Sequence, residues 1–173
     1  GPGELKPVTP TNGEMRPGLS MGQHCERMAQ EWHIKREDQD QLALESHQKA
    51  AAAYEDGFFD DLITPFGGIS RDNNLRADTT LEKLASLRTV FDKGTRATLS
   101  AGNSTSLTDG AAAVLLCSEE WAAERDLPVQ AFLTTGRSAA VDFVNDEGLL
   151  MAPTVAVAEM LQRAGLALQD FDF

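Results

Sequence analysis

The sequence has few cysteines, few basic residues and no long apolar run. Its two cysteines, Cys25 and Cys117, are too few for a disulfide framework, so a reducing compartment and a cytoplasmic location are expected. Fifteen lysines and arginines stand against 27 aspartates and glutamates, which gives a net charge of -12. This balance excludes nucleic acid as the main partner, because phosphate neutralisation needs a basic face. The longest apolar run, Ala111 to Cys117, is too short for a transmembrane segment.

What the sequence does contain is typical of a globular protein. Hydrophobic residues make up 42% and charged residues 24% of its 173 residues, enough for one medium domain or two small ones. Residues 1–18 are rich in Gly, Pro and Thr and predict an extended lead-in. The chain ends on Asp170-Phe171-Asp172-Phe173, an alternation that is typical of the start of a buried strand. We therefore expect the sequence to be an internal piece of a longer protein.

Apolar spacing and capping residues predict both helices and strands. Met21, Cys25, Met28 and Trp32 have the spacing of one buried helical stripe. The predicted helices cover residues 21–32, 36–56, 79–87 (opened by a capping box), 118–125 and 153–164, and the predicted strands cover 58–63, 111–117 and 129–134. The character of the chain changes near residue 108, from helices and a polar loop to alternating strands and helices, which predicts α/β layering.

Few side chains form a recognisable chemical site on their own. None of the three histidines has a carboxylate or cysteine at metal-ligand spacing, so surface or packing roles are favoured over a metal site. Cys25 lies on the apolar face of its predicted helix, and Cys117 ends a predicted buried strand. Burial of this kind makes a thiol inert, so a structural role is favoured for both.

Two polar segments are candidates for contact with an anionic ligand. The stretch from Ser100 to Thr108 is either a plain turn or a loop that presents hydroxyls and backbone amides to a polar ligand, such as a pantetheine arm. Arg71 and Arg76 flank a polar loop and are either solvated or bound to a phosphate. The residues alone leave these alternatives open.

Several short sequence motifs between residues 19 and 173 occur in the same order as in the thiolase family. They resemble in particular the 3-ketoacyl-CoA thiolases of fatty-acid β-oxidation. The most specific is Ala101-Gly102-Asn103-Ser104-Thr105, followed by Asp109-Gly110-Ala111-Ala112-Ala113. The supporting strings are Ser20-Met21-Gly22 followed by Glu26 and Ala29, the segment from Gln39 to Gly57, the segment from Arg76 to Ala85, and the segment from Pro153 to Asp172.

The resemblance implies an α/β, thiolase-like fold. That fold has two similar halves of mixed sheet and helices, with a mainly helical loop domain inserted in the first half. Residues 1–107 would be the loop domain with its extended lead-in. Residues 108–129 would be the last strand and helix of the N-terminal half, and residues 130–173 the truncated start of the C-terminal half.

The resemblance also implies an acyl-CoA C-acyltransferase activity for the parent enzyme, by thiolysis or Claisen condensation of 3-ketoacyl-CoA in a ping-pong mechanism. The family's nucleophilic cysteine precedes this region, and its catalytic histidine and second cysteine follow it. Neither Cys25 nor Cys117 has the family's sequence setting, so the chain alone is expected to be inactive. Two further departures are Lys35, in place of a serine N-cap, and Met151-Ala152-Pro153, in place of Gly-Pro.

Coenzyme A would act as a substrate, and no separate cofactor is implied. By resemblance, Arg76 would contact its nucleotide end, Ser104 and Thr105 its pantetheine arm, and Met21 the pocket wall near the thioester. The family usually has serine at the position of Thr105. The implied partners are acyl-CoA and coenzyme A, further copies in a dimer or tetramer, and a hydratase/dehydrogenase subunit of a β-oxidation complex. The alternatives are a stand-alone acyl-CoA-binding module and an oligomerisation module.

Overall fold

The computed structural model describes residues 13–145 and 147–172. The chain divides into two compact units, Gly1–Leu107 and Thr108–Phe173. Most of the predicted extended lead-in, residues 1–12, lies outside the described residues. The assignment of residues 1–107, 108–129 and 130–173 to a loop domain and to two halves of a larger fold stays a prediction.

The first helix, α1 (Met21–Glu31), forms where the sequence predicts it. The Ser20 hydroxyl accepts from the backbone N–H of Gln23, whose side chain accepts from the N–H of Ser20, so a reciprocal capping box starts the helix. The predicted buried stripe is wrong, because Met21 is 63% exposed and α1 buries Glu26 and Ala29 instead. The reason is chemical: the carboxylate of Glu26 accepts hydrogen bonds from a distant backbone segment, as described below.

The second helix, α2 (Arg36–Glu55), packs against the short helix α3 (Leu81–Ala85). No side-chain cap starts α2 at Lys35, and Gly57, with φ +75°, follows its end in the left-handed conformation expected of a C-terminal cap. The guanidinium of Arg36 donates to the carbonyl oxygens of Leu84, at 2.6 Å, and Leu87, at 3.3 Å. A charged side chain therefore joins the two helices.

The core of the first unit is small and largely polar. Its buried apolar residues among those described are Ala29, Leu84 and Leu99. The buried polar residues of the same unit are His24, Glu26, Asp40, Thr98 and Ser100. The backbone at Gly102 lies very close to Leu87: a Cβ at this position would lie 2.6 Å from Cδ1 of Leu87. The packing here depends on hydrogen bonds as well as on apolar area.

The second unit contains α4 (Glu119–Ala123) and α5 (Ala152–Ala164), with single turns of 3-10 helix at Phe143–Asn145 and Leu168–Asp170. The hydroxyl of Ser118 accepts from the N–H of Trp121, which confirms the predicted N-cap of α4. Gly165, with φ +65°, ends α5 as predicted. Local capping chemistry therefore sets the helix ends in this unit too.

The three predicted strands, residues 58–63, 111–117 and 129–134, do not form in the described residues, so these predictions are wrong. Residues 111–117 and 129–134 are not part of a strand ladder in the described residues, and Val114 and Leu133 are each 81% exposed. Residues 58–63 form successive turns after α2, and a turn of 3-10 helix occupies part of the predicted C-terminal strand start. Apolar composition favours a strand only where a neighbouring strand supplies the ladder, and these segments have no such neighbour among the described residues.

In the described residues of the first unit, isolated antiparallel bridges pair Gly13 with Ser20, Phe66 with Ile69, and Thr89 with Ser100. The bridge to Ser100 matters for the site, since it fixes the start of the hydroxyl-rich loop. In the described part of the chain, no helix has the length and apolar character needed to cross a membrane.

Candidate functional site

A groove of about 940 Å³ runs along one face of α2 in the first unit. Its walls are α2, parts of the polar segment 72–79, the loop 101–106, and Leu84 of α3 together with Leu87, Val90 and Phe91. Arg76, Ser104 and Thr105, which were predicted to be ligand contacts, all line this groove. The fourth predicted residue, Met21, begins α1 and is not among the groove-lining residues that the structure describes. All four ligand roles remain predictions.

Arg76 is held by its backbone and by its own side chain. Its backbone N–H donates to Nδ1 of His47 on α2 at 3.3 Å. Its Nη1 donates to the carbonyl oxygens of Asn73, at 2.6 Å, and Leu75, at 3.1 Å. These bonds restrict an exposed guanidinium at the wall of the groove.

Arg71, the other arginine of the predicted pair, lies elsewhere. Its guanidinium carbon is 4.3 Å from the ring centroid of Tyr54, a cation–π contact with α2. The Tyr54 hydroxyl also accepts from the backbone N–H of Asp72 at 3.0 Å. The two arginines therefore have different surroundings: Arg71 packs on an aromatic ring, and Arg76 lines the groove.

The loop that carries Ser104 and Thr105 is held from α2 through Asn103. The Oδ1 of Asn103 accepts from the N–H of Ser100 at 2.8 Å. Its Nδ2 donates to Oδ1 of Asp40 at 2.9 Å and to the carbonyl of Thr98 at 3.2 Å. The second carboxylate oxygen of Asp40 accepts from Nε of Arg36 at 2.7 Å. An ion pair on α2, in which Asp40 is buried and the Arg36 side chain is 17% exposed, therefore fixes the residue next to Ser104.

A second buried carboxylate holds the start of the same loop. Glu26 on α1 accepts from the backbone N–H groups of Thr98 and Leu99, each at 2.8 Å. It also accepts from the Thr98 hydroxyl at 2.9 Å and from Nε2 of Gln30 at 3.2 Å. Residues 98–103 are consequently anchored to α1 and α2 by two different carboxylates.

Neither cysteine has the surroundings of an activated nucleophile. Burial, and secondly the negative charge of Glu26, raise the pKa of the Cys25 thiol. Cys117 is exposed, so its predicted burial is wrong, because the segment 111–117 is not paired in a sheet. In the described residues, no three His, Cys, Asp or Glu side chains are grouped closely enough to hold a metal ion.

The two thiols should react at different rates. We expect iodoacetamide to alkylate Cys25 at least about threefold more slowly than Cys117 near neutral pH, because the raised pKa lowers the thiolate fraction and the site is partly covered. Since a raised pKa is overcome as the pH rises, Cys25 should approach the rate of Cys117 in more alkaline buffer. Peptide mass spectrometry over a time course measures both rates. Faster labelling of Cys25 at neutral pH would contradict this description of its surroundings.

The site therefore combines an anchored guanidinium with a hydroxyl-bearing loop along a single groove, which suits an elongated ligand that is anionic at one end and polar along its length. The family model described as the thiolase N-terminal domain matches residues 9–120. The chain belongs to the thiolase family.

Individual relatives give the same result. A 3-ketoacyl-CoA thiolase of Yersinia enterocolitica is 43% identical, in a match covering 96% of this chain and 39% of that protein. A 3-ketoacyl-CoA thiolase of Yersinia pestis matches with the same identity and coverage. The chain thus spans about two fifths of the length of these curated relatives.

Solved structures confirm the thiolase-like fold. The human mitochondrial 3-ketoacyl-CoA thiolase, crystallised in complex with CoA, has a TM-score of 0.81 and 31% identity over 93% of this chain and 40% of that one. The acetyl-CoA acetyltransferase of Bacillus anthracis has a TM-score of 0.78 and 33% identity over 93% of this chain and 42% of that one. The predicted family and fold class are therefore confirmed.

Proposed function

We propose that the chain is part of an acyl-CoA C-acyltransferase that cleaves or forms 3-ketoacyl-CoA in fatty-acid β-oxidation, and that it supplies coenzyme A-binding surface. The observation that carries the proposal is the groove along α2, which has Arg76, Ser104 and Thr105 in its walls. Its volume of about 940 Å³ falls within the range of small-molecule sites. Two findings support this choice of ligand: the chain belongs to the thiolase family, and the similar human thiolase was crystallised in complex with CoA.

Each groove residue has a chemical role in the proposal. The guanidinium of Arg76 offers charge-assisted hydrogen bonds to the phosphates at the nucleotide end. The hydroxyls of Ser104 and Thr105 offer donors and acceptors to the amide groups of the pantetheine arm. Met21, which does not line the groove, would form an apolar wall near the thioester, as the resemblance implies. Coenzyme A is a substrate in this scheme, and no separate cofactor is involved.

The reaction itself requires groups that we place outside this chain. A cysteine thiolate attacks the 3-ketoacyl substrate, carbon–carbon cleavage leaves an acyl-enzyme, and a second coenzyme A accepts the acyl group. The raised pKa of Cys25 argues against that residue as the thiolate. We therefore propose that the chain alone is inactive. Turnover of acetoacetyl-CoA and coenzyme A by the 173-residue chain would contradict this part of the proposal.

Replacing Arg76 by alanine tests the binding role. Calorimetric titration with coenzyme A should show affinity falling about tenfold in Arg76→Ala, because a charge-assisted contact to phosphate is lost. The matched control is Arg88→Ala, which removes an exposed arginine of the same unit that does not line the groove. Equal affinities for the wild type, Arg76→Ala and the control would contradict the proposed site.

The cellular setting is also part of the proposal. We place the protein in the cytoplasm, in a dimer or tetramer of like subunits, with a hydratase/dehydrogenase subunit as a partner in a β-oxidation complex. The second candidate function is an oligomerisation module without a ligand, which the exposed apolar side chains of Leu62, Phe66 and Ile69 favour. Light scattering together with the titration separates the two: self-association without coenzyme A binding would favour the module.

A further inference from the structure

Three polar residues lie on one face of α2 at a spacing of seven: Asp40, His47 and Tyr54. Seven residues bring a helix back to nearly the same face, with a drift of only about 20°. A hydrophobic stripe at this spacing would indicate packing against another helix. A polar stripe has to be explained by what its hydrogen-bonding atoms contact.

His47 and Tyr54 contact the backbone of the segment that contains Arg76. Nδ1 of His47 accepts from the N–H of Arg76, and the hydroxyl of Tyr54 accepts from the N–H of Asp72. Because Nδ1 is the acceptor, the proton of the neutral imidazole is assigned to Nε2. The Tyr54 ring also carries the guanidinium of Arg71 at 4.3 Å. The segment is thereby fastened to α2 at two backbone positions four residues apart in sequence.

Asp40 has the same effect on the other wall of the groove. Asp40 is 2% exposed, and its carboxylate accepts from Asn103, which in turn holds the backbone at Ser100 and Thr98. Ser104 follows Asn103 directly. The stripe therefore reaches both walls, one through Asp40 and the other through His47 and Tyr54.

Neither wall segment is part of a regular helix or sheet, so its position depends on contacts of this kind. A loop that must be ordered when a ligand binds weakens the binding, because the lost conformational freedom opposes it. A loop already held by hydrogen bonds avoids most of that loss. Asp40 and Tyr54 do not line the groove, so they can affect affinity without touching the ligand, whereas His47 both lines the groove and holds its wall.

We infer that Asp40, His47 and Tyr54 are positioning residues for coenzyme A. They hold the segment 72–76 and the loop 101–106 against α2, at the two walls of the groove. This inference rests on the proposed function for the choice of ligand. The hydrogen bonds themselves do not depend on it. Asp40 and His47 lie in the segment that resembles the family, but the sequence predicted no role for Asp40, and His47 was interpreted as a surface or packing histidine.

The sharpest experiment uses two substitutions at His47. Asparagine places its carbonyl oxygen near the position of Nδ1 and can still accept from the N–H of Arg76, whereas glutamine places its amide near the position of Nε2. His47→Gln should speed amide exchange at Arg76 and weaken coenzyme A binding, each by about tenfold, as expected for one lost hydrogen bond. His47→Asn should restore both values to near those of the wild type. Tyr54→Phe, which keeps the ring, should speed exchange at Asp72.

Amide exchange is measured residue by residue by nuclear magnetic resonance on the 173-residue chain without ligand, and affinity by calorimetry with coenzyme A. Unchanged exchange at Arg76 in His47→Gln would overturn the positioning role. Faster exchange with unchanged affinity would also overturn it, because the hydrogen bond would then have no effect on the site. Equal affinity of the wild type and Arg76→Ala for coenzyme A would instead contradict the proposed function. Amide exchange is measured without ligand, so it tests the hydrogen bond of His47 whether or not coenzyme A binds.

Discussion

Replacing Glu26 by alanine is expected to lower the free energy of unfolding of the first unit by about 3–5 kcal/mol, because the change leaves buried donors without their acceptor. The residue is 2% exposed, and its carboxylate accepts from two backbone N–H groups and the Thr98 hydroxyl. Removal also separates α1 from the segment 98–99. Urea denaturation followed by far-ultraviolet circular dichroism measures the change.

The control for this prediction is Glu31→Ala, an exposed glutamate of the same helix, which should cost less than about 0.5 kcal/mol. Glu26→Gln should fall between the two. The amide keeps one acceptor oxygen, but it places an N–H donor against a backbone N–H that needs an acceptor. If Glu26→Ala is no less stable than Glu31→Ala, the carboxylate does not hold the loop in solution.

Replacing Asp40 by alanine is the second large effect, expected at about 2–4 kcal/mol, because the partly buried charge of Arg36 loses its partner and Asn103 loses an acceptor. Asp40 is 2% exposed and accepts from Arg36 and Asn103. The freed guanidinium of Arg36 would keep only its bonds to carbonyl oxygens beside α3. Thermal unfolding and urea titration of the same samples measure the loss.

The matched control is Asp38→Ala, two residues earlier on α2, which removes an exposed carboxylate from the first turn. Its expected cost is about 0.5 kcal/mol, from the lost interaction with the helix dipole. Asp40→Asn preserves the shape and one acceptor, so it should be destabilised less than Asp40→Ala. Equal losses for Asp38→Ala and Asp40→Ala would mean that the ion pair adds nothing beyond surface charge.

Helices were predictable from the sequence because their signals are local. Ser118, Gly57 and Gly165 act within a few residues of themselves, through a hydroxyl or a left-handed backbone conformation, and the structure places all three at helix ends. The strands were not predictable in the same way. A strand needs a partner from elsewhere in the chain, and the apolar composition of residues 111–117 contains no information about whether that partner is present.

The site was predictable in part, for a related reason. The hydroxyl-rich loop and Arg76 were recognisable as candidate ligand contacts from their residue types. The carboxylates that hold this loop were not, because a hydrophobic pattern cannot show which acidic residue is buried. On α1 the pattern indicated Met21 as buried, but the structure buries Glu26, whose acceptors meet backbone donors about seventy residues away in sequence.

The small polar core of the first unit has a thermodynamic consequence. Ala29, Leu84 and Leu99 are the fully buried apolar residues among its described residues, so the unit has fewer fully buried apolar residues than fully buried polar ones. The heat-capacity change of unfolding follows apolar exposure and is offset by polar exposure. The stability of this unit should therefore vary less with temperature than that of a domain of similar length with a larger apolar core.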